Sequence, residues 1–189
     1  MNETVLTALP AMNQKLSIAN IIDKLKQESS TLNGSRLIEL LELLAISDVE
    51  ISRYASFRER GYARNTVYRD EVFEILMICW RNGQRSLIHD HGRSLGAVKV
   101  LQGVLTESLF AVAPNGMIKP IASEDYQSGS IQLETQSTIH QVSNLQPLSL
   151  TTISLHVYTP PLEQMNIYKL YDSNVISATS ELYNSGGGI

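Results

Sequence analysis

The sequence predicts a mainly β fold in which an N-terminal helical cap covers a small β-barrel or β-sandwich. Residues 12 to about 56 place apolar side chains at helical spacing, whereas short apolar or alternating runs follow Gly61. Gly, Pro, Asn and Asp separate these runs, as is typical of strands joined by turns. Of the 189 residues, 43 % are hydrophobic and 18 % are charged, which is sufficient for one domain with a substantial core.

Three helices are expected in the cap. The first begins after Ser17, a candidate N-cap, and the second begins at Ser35, after a polar break over residues 29–34. The third helix begins near Asp48. We therefore assign residues 1–58 to the helical cap.

The barrel is expected over residues 59–172, and a C-terminal tail over 173–189, whose last residues, 183–189, are predicted to fray. No linker divides the chain, so we treat 1–189 as a single domain. The candidate strands are 62–68, 72–80, 86–90, 95–101, 104–112, 117–122, 130–134, 138–142, 150–158 and 166–171.

Charge and cysteine content exclude several classes of protein. The 19 acidic residues outnumber the 15 basic ones, and a net charge of −4 disfavours nucleic acid as the partner. Cys79 is the single cysteine, so an internal disulfide and a Cys-based zinc finger are excluded, and its apolar surroundings predict a buried, inert thiol. No signal peptide and no apolar run of about 18 residues is found, so we expect a cytoplasmic protein without membrane association.

The most informative side chains are histidines. His89 and His91 follow an apolar run and, being two apart in a strand, are expected to project from one face. His140 lies in another candidate strand, from which it can supply a third ligand to one metal ion. Neutral imidazoles suit Fe, Zn, Cu and Ni, and three protein ligands leave positions open for catalysis. The alternative is a partly exposed pair of histidines with no metal.

Glycines at fixed distances from these histidines give the sequence a resemblance to the cupins, which form small β-barrels or jelly rolls. The first cupin motif resembles Gly83-x5-His89-x-His91-x4-Gly96-x6-Gly103, and the second resembles Gly129-x10-His140-x3-Asn144. Gly96 stands where the first motif usually carries a metal-binding Glu. Thr135 and Ser137 stand where the second usually carries Pro and Gly.

Residues 62–161, about half of the chain, contain six short segments that match a narrower family. These segments are Tyr62-x-Arg64-Asn65, Cys79-Trp80, Ile88-His89-Asp90-His91, Lys99-x-Leu101-Gln102-Gly103, His140-x-Val142-x-Asn144 and Ser154-Leu155-His156-x-Tyr158-x-Pro160-Pro161. In them the sequence is similar to the cysteine dioxygenases. The resemblance implies Fe(II) as cofactor, held by His89, His91 and His140. It also implies cysteine and O2 as substrates, with cysteine sulfinate as the product.

Further residues have roles implied by the same resemblance. Arg64 is expected to bind the substrate carboxylate, since a guanidinium matches a carboxylate as a planar fork, and Tyr62 is expected to line the same pocket. Ser154, His156 and Tyr158 alternate along one strand and share a face, which allows a hydrogen-bonded row that places the phenol near the iron.

Gly96 separates this chain from animal members of the family. In those proteins a cysteine at this position forms a thioether with the tyrosine that matches Tyr158. Because Gly96 has no sulfur and Cys79 lies elsewhere in the pattern, we expect an unmodified Tyr158 and a bacterial-type member.

The substrate and the class of protein have alternatives. Relatives that act on 3-mercaptopropionate typically carry Gln at the position of Arg64 and use a downstream arginine. No arginine follows Arg93 here, which favours cysteine. The alternatives are another small thiol such as 3-mercaptopropionate, a non-catalytic cupin that binds a metal or ligand, and a Zn or Mn isomerase or hydrolase.

Overall fold

The computed structural model describes residues 15–179, which form three helices followed by eleven strands. The helices are α1 (Ile18–Gln27), α2 (Gly34–Leu43) and α3 (Asp48–Tyr54). The strands are β1 (Ala63–Arg69), β2 (Glu74–Trp80), β3 (Ile88–His89), β4 (Leu95–Gln102), β5 (Val104–Val112), β6 (Ile118–Gln127), β7 (Ile131–Glu134), β8 (Ile139–Ser143), β9 (Thr152–Thr159), β10 (Gln164–Lys169) and β11 (Asp172–Thr179). In this part of the chain no helix is long and apolar enough to cross a membrane.

The helices begin at polar N-caps. Ser17 caps α1 as predicted, and its side chain accepts a hydrogen bond from the backbone N–H of Asn20. The prediction for α2 was wrong: Asn33 is the N-cap, and its side chain accepts from the Arg36 N–H, so the helix starts ahead of Ser35. Both residue types are good caps, so sequence alone did not distinguish them.

The helices cover one face of a β-sheet. Leu25 and Leu41 belong to the same buried cluster as Met77 of β2 and Leu155 of β9. The Lys99 ammonium of β4 donates to two backbone carbonyls at the end of α2, which fastens the cap to the sheet. Burial of this apolar face, rather than helix propensity, is therefore what stabilises such short helices.

The strands form two antiparallel sheets. A five-stranded sheet has the order β1-β2-β9-β4-β7, and a six-stranded sheet has the order β11-β10-β3-β8-β5-β6. In β2, Met77 faces the helical cap, while Leu76 and Ile78 join a second buried cluster with Val142 of the other sheet. Both faces of β2 are thus covered, which explains its unbroken apolar run. The predicted mainly β barrel with a helical cap is confirmed.

The structure differs from the sequence prediction at three strands. β3 is confined to two residues rather than 86–90, and β6 extends to Gln127 rather than ending at 122. β11 begins at Asp172 and runs into the segment 173–189, for which the sequence predicts a tail. It is an edge strand paired only with β10, and most of its side chains are exposed, so it carries little apolar periodicity. Residues 183–189 lie outside the described part of the chain, and the single-domain assignment stays a prediction.

Candidate active site

Three buried histidines converge between the two sheets. His89 of β3 pairs in register with His140 of β8, and His91 follows two residues after His89. One nitrogen from each ring lies within 4.8 Å of the other two. In the described residues, Nε2 of His91 and Nε2 of His140 have no hydrogen-bond partner. Buried polar atoms are rarely left unsatisfied, so a metal ion bound by the three rings fits this arrangement.

Asp90 fixes the segment that carries the first two histidines. Its carboxylate accepts hydrogen bonds from the Gly92 N–H at 3.0 Å, the Asn166 N–H at 3.0 Å, the Asn166 amide at 2.9 Å and the Tyr168 hydroxyl at 2.9 Å. The Asn166 and Tyr168 contacts tie the turn between His89 and His91 to β10. His91 is therefore oriented by this turn, although β3 ends before it.

The imidazoles of His89 and His91 are uncharged at neutral pH. Burial, with a smaller contribution from His140, lowers the pKa of His89 to about 3. Burial also lowers the pKa of His91 well below its usual value. The Leu87 carbonyl lies 2.9 Å from Nδ1 of His89 and can only accept, so Nδ1 carries the proton and Nε2 the lone pair.

His140 differs from His89 and His91 in having two glutamates beside its Nδ1 nitrogen. Its Nδ1 lies 2.6 Å from Oε1 of Glu107 and 3.4 Å from Oε2 of Glu134. Burial lowers the pKa of His140, but the two carboxylates outweigh burial and the net shift is upward. Neither glutamate was identified from the sequence, because nothing in the local pattern of β5 or β7 indicates which residue of β8 lies beside it.

A row of hydrogen bonds runs along β9 toward the histidines. Ser154 Oγ lies 2.8 Å from Nε2 of His156, and Nδ1 of His156 lies 3.0 Å from the Tyr158 hydroxyl. The Tyr158 ring stacks on His91 with centroids 5.7 Å apart. The structure thus brings together the three residues that the sequence placed on one strand face, and puts the end of the row beside the histidine triad.

Trp80 adds a donor to this row and so determines the direction in which its hydrogen bonds are donated. Its indole N–H donates to Ser154 Oγ at 3.1 Å. The arrangement that satisfies every donor then has Ser154 donating to Nε2 of His156, and Nδ1–H of His156 donating to the Tyr158 oxygen. The proton of the Tyr158 hydroxyl is left to point into the cavity. Burial raises the pKa of this phenol well above its usual value, which keeps it protonated.

Arg64 and Tyr62 line the same cavity as His89, His140 and Tyr158. Arg64 is a half-buried residue of β1, and no carboxylate of residues 15–179 lies within ion-pair distance of its guanidinium. Tyr62 precedes β1 rather than lying within it, and its ring stacks on that of Trp80 with the centroids 4.3 Å apart. Trp80 lines the cavity as well. Burial raises the pKa of Tyr62, and the nearby Arg64 opposes that shift.

Cys79 lies on the opposite face of β2 from the cavity. It belongs to the cluster beneath the helical cap, together with Met77, and burial raises the pKa of its thiol to about 11. Gly96 of β4 pairs directly with Tyr158 of β9. The sulfur of the only cysteine is therefore placed away from the Tyr158 ring.

The sequence is similar to proteins of a known family. A family model described as cysteine dioxygenase type I matches residues 8–171. Cysteine dioxygenase type 1 of Homo sapiens is 28% identical over 158 residues, which cover 80% of this chain and 78% of the human protein. The Rattus norvegicus protein of the same name is 30% identical over 140 residues, which cover 72% of this chain and 70% of the rat protein.

A solved structure supports the architecture. An uncharacterized conserved protein with a double-stranded β-helix domain from Klebsiella pneumoniae superposes with a TM-score of 0.50 and 15% identity. The superposition covers 63% of this chain and 94% of that protein. At this identity the likeness shows the fold alone, which is a double-stranded β-helix.

Proposed function

Because this chain belongs to the cysteine dioxygenase family, we propose that it is a mononuclear non-haem Fe(II) thiol dioxygenase acting on L-cysteine. The reaction adds both atoms of O2 to the substrate sulfur and yields cysteine sulfinate. The observation that carries the proposal is that two histidines of the buried triad, His89 and His140, line one cavity with Arg64 and Tyr158.

His89, His91 and His140 are the residues that would hold the metal. Neutral imidazoles suit iron and do not suit Mg or Ca, and Gly96 supplies no carboxylate where the cupin motif usually has one. Bound Fe(II) supplies the redox chemistry that lets O2 react with a closed-shell thiol, whereas Zn has no redox chemistry. A centre with three neutral ligands keeps the positive charge of the metal, which favours binding of a thiolate.

Arg64 is the proposed partner of the substrate carboxylate. Its guanidinium lines the cavity and has no internal carboxylate partner among residues 15–179. A bidentate ion pair with Arg64 would hold a small thiol acid in the cavity that His89 and His140 also line. Cysteamine has no carboxylate and would leave Arg64 unpaired, so cysteine is the preferred substrate.

Tyr158 is the proposed donor of a hydrogen bond or proton to oxygen. Its hydroxyl accepts from His156, so its own proton points into the cavity. The overall reaction balances without an external reductant: the thiol R–SH and O2 give the sulfinic acid R–SO2H. Sulfur loses four electrons and O2 gains four.

The proposal is tested by loading the protein with Fe(II) without oxygen and then adding O2 with cysteine, 3-mercaptopropionate or cysteamine. We expect O2 uptake and cysteine sulfinate by mass spectrometry, with cysteine the best substrate. Faster turnover of 3-mercaptopropionate would reassign the substrate. Stoichiometric Zn or Mn in the purified protein, with no O2 uptake after iron loading, would support a non-dioxygenase cupin. The cytoplasmic location stays a prediction.

A further inference from the structure

Two buried carboxylates surround the outer nitrogen of His140. Glu107 reaches Nδ1 from β5 of the six-stranded sheet, at 2.6 Å, and Glu134 reaches it from β7 of the five-stranded sheet, at 3.4 Å. The side chains of Glu107 and Glu134 are 10% and 3% exposed. Oε2 of Glu134 has no hydrogen-bond partner among the described residues.

These carboxylates determine which nitrogen of His140 carries the proton. The short contact is read as Nδ1–H of His140 donating to the Glu107 carboxylate, which leaves Nε2 as the nitrogen that can bind a metal. The outer nitrogen of His89 meets a neutral carbonyl, that of Leu87, instead.

Two carboxylates beside a single N–H are costly in a buried site unless a positive charge lies near them. The three imidazoles contribute no negative charge to a divalent metal. Gly96 stands where the cupin motif usually has a liganding Glu, and Gly96 pairs in register with Glu134. β7 thus brings the Glu134 carboxylate next to Gly96, where the liganding Glu is missing. This carboxylate approaches Nδ1 of His140.

We propose that Glu107 and Glu134 are positioning residues of the metal centre, which orient His140 and supply from behind it the negative charge that a three-histidine site lacks. This inference rests on the metal site of the proposed function and not on its thiol substrate. Glu107 acts through the short hydrogen bond, and Glu134 acts through the carboxylate oxygen that lies 3.4 Å from the same nitrogen.

The test is the metal affinity of Glu107→Gln and Glu134→Gln. Glutamine keeps the size and an accepting oxygen but removes the charge. Glu74→Gln is the matched control, because Glu74 is 1% exposed and its carboxylate binds Arg69 and the Leu162 N–H instead of a histidine. Dissociation constants for Fe(II), measured anaerobically against a competing chelator, are compared with those for Co(II), whose visible spectrum reports ligand geometry.

We expect each of the two variants to bind both metals roughly 10–100-fold more weakly, as is typical when the partner of a liganding histidine is lost. Glu74→Gln is expected to lower the thermal midpoint of the metal-free protein and leave the dissociation constants unchanged. Unchanged constants in both Glu107→Gln and Glu134→Gln, or an equal loss in Glu74→Gln, would overturn the proposal. If Glu107→Gln does not fold, Glu134→Gln decides.

The affinity is measured without thiol or O2, so this proposal and the proposed function fail separately. A wild-type protein that binds iron but does not oxidise cysteine overturns the function alone. A wild-type protein that oxidises cysteine, with variants that bind iron as tightly as it does, overturns the role of the two glutamates alone.

Discussion

The ring of Tyr158 lies against the α-carbon of Gly96 on the neighbouring strand. A β-carbon at Gly96 would lie 2.7 Å from Cε1 of Tyr158 and 3.1 Å from the β-carbon of Glu134. The first distance is shorter than a real carbon contact, so Tyr158 can keep its position only beside a glycine. The absence of a side chain at Gly96 is therefore what allows the Tyr158 phenol to take this position.

Gly96→Ala is expected to displace Tyr158 and slow turnover, while lowering the free energy of unfolding by about 1–3 kcal/mol through overpacking. Chemical denaturation and turnover with cysteine measure the two effects. Gly34→Ala is the control: its β-carbon meets only the flexible end of Leu133, whose side chain is on the opposite face of β7 from that of Glu134. Wild-type turnover in Gly96→Ala would show that the position of Tyr158 does not matter.

Tyr158→Phe removes the hydroxyl that accepts from His156 and keeps the ring that stacks on His91. We expect turnover to fall by roughly 10²-fold or more, the usual effect of losing a positioned acid or base. Bound iron, measured by elemental analysis, is expected to stay at the wild-type level. An unchanged rate would remove Tyr158 from the mechanism. A thioether between a cysteine and Tyr158 would lower the mass of the protein by two hydrogens. We expect the intact mass of the wild-type protein to show no such loss.

His140→Ala removes the ligand that connects the triad to Glu107. We expect the purified variant to lose iron, because two imidazoles remain and the third nitrogen has no substitute. Iron content per chain, compared with that of Tyr158→Phe, is the measurement. Stoichiometric iron with full turnover in His140→Ala would refute the metal assignment.

Arg64→Gln is expected to raise KM for cysteine roughly 10–100-fold, the range for loss of a charge-assisted hydrogen bond to a carboxylate. Cysteamine, which has no carboxylate, should be much less affected. The exposed Arg53, on α3 outside the cavity, offers Arg53→Gln as a control that leaves KM unchanged. An equal loss with both thiols would place Arg64 in a structural role instead.

Cys79 is expected to resist alkylation in the native protein. Burial raises the pKa of its thiol to about 11 from an ordinary value of 9.0. The folded state therefore binds the proton more tightly, and the stability that this contributes is complete below about pH 9 and is lost as pH rises toward 11. Iodoacetamide labelling at pH 8, with and without urea, tests this. Fast labelling without urea would show that the helical cap opens readily.

Period-two patterns in the sequence were enough to group the side chains that one strand contributes. The row of Ser154, His156 and Tyr158 followed from alternation along a strand, and the structure places all three along one hydrogen-bonded line. The spacing of His89 and His91, with His140 in a second strand, predicted the triad that the structure brings within 4.8 Å. Local geometry determines which face a side chain takes, and that geometry repeats along the chain.

Contacts between strands were decided only by the tertiary structure. Glu107 and Glu134 meet His140 because β5 pairs with β8 while β7 approaches from the other sheet. Trp80 reaches Ser154 across the pairing of β2 with β9. A single sequence contains the alternation of each strand but not the order of strands in a sheet, because that order depends on how both apolar faces are buried together. The sequence alone thus determined the histidines and the family resemblance. The packing of the two sheets decided which acidic side chains contact His140 and which donor reaches Ser154.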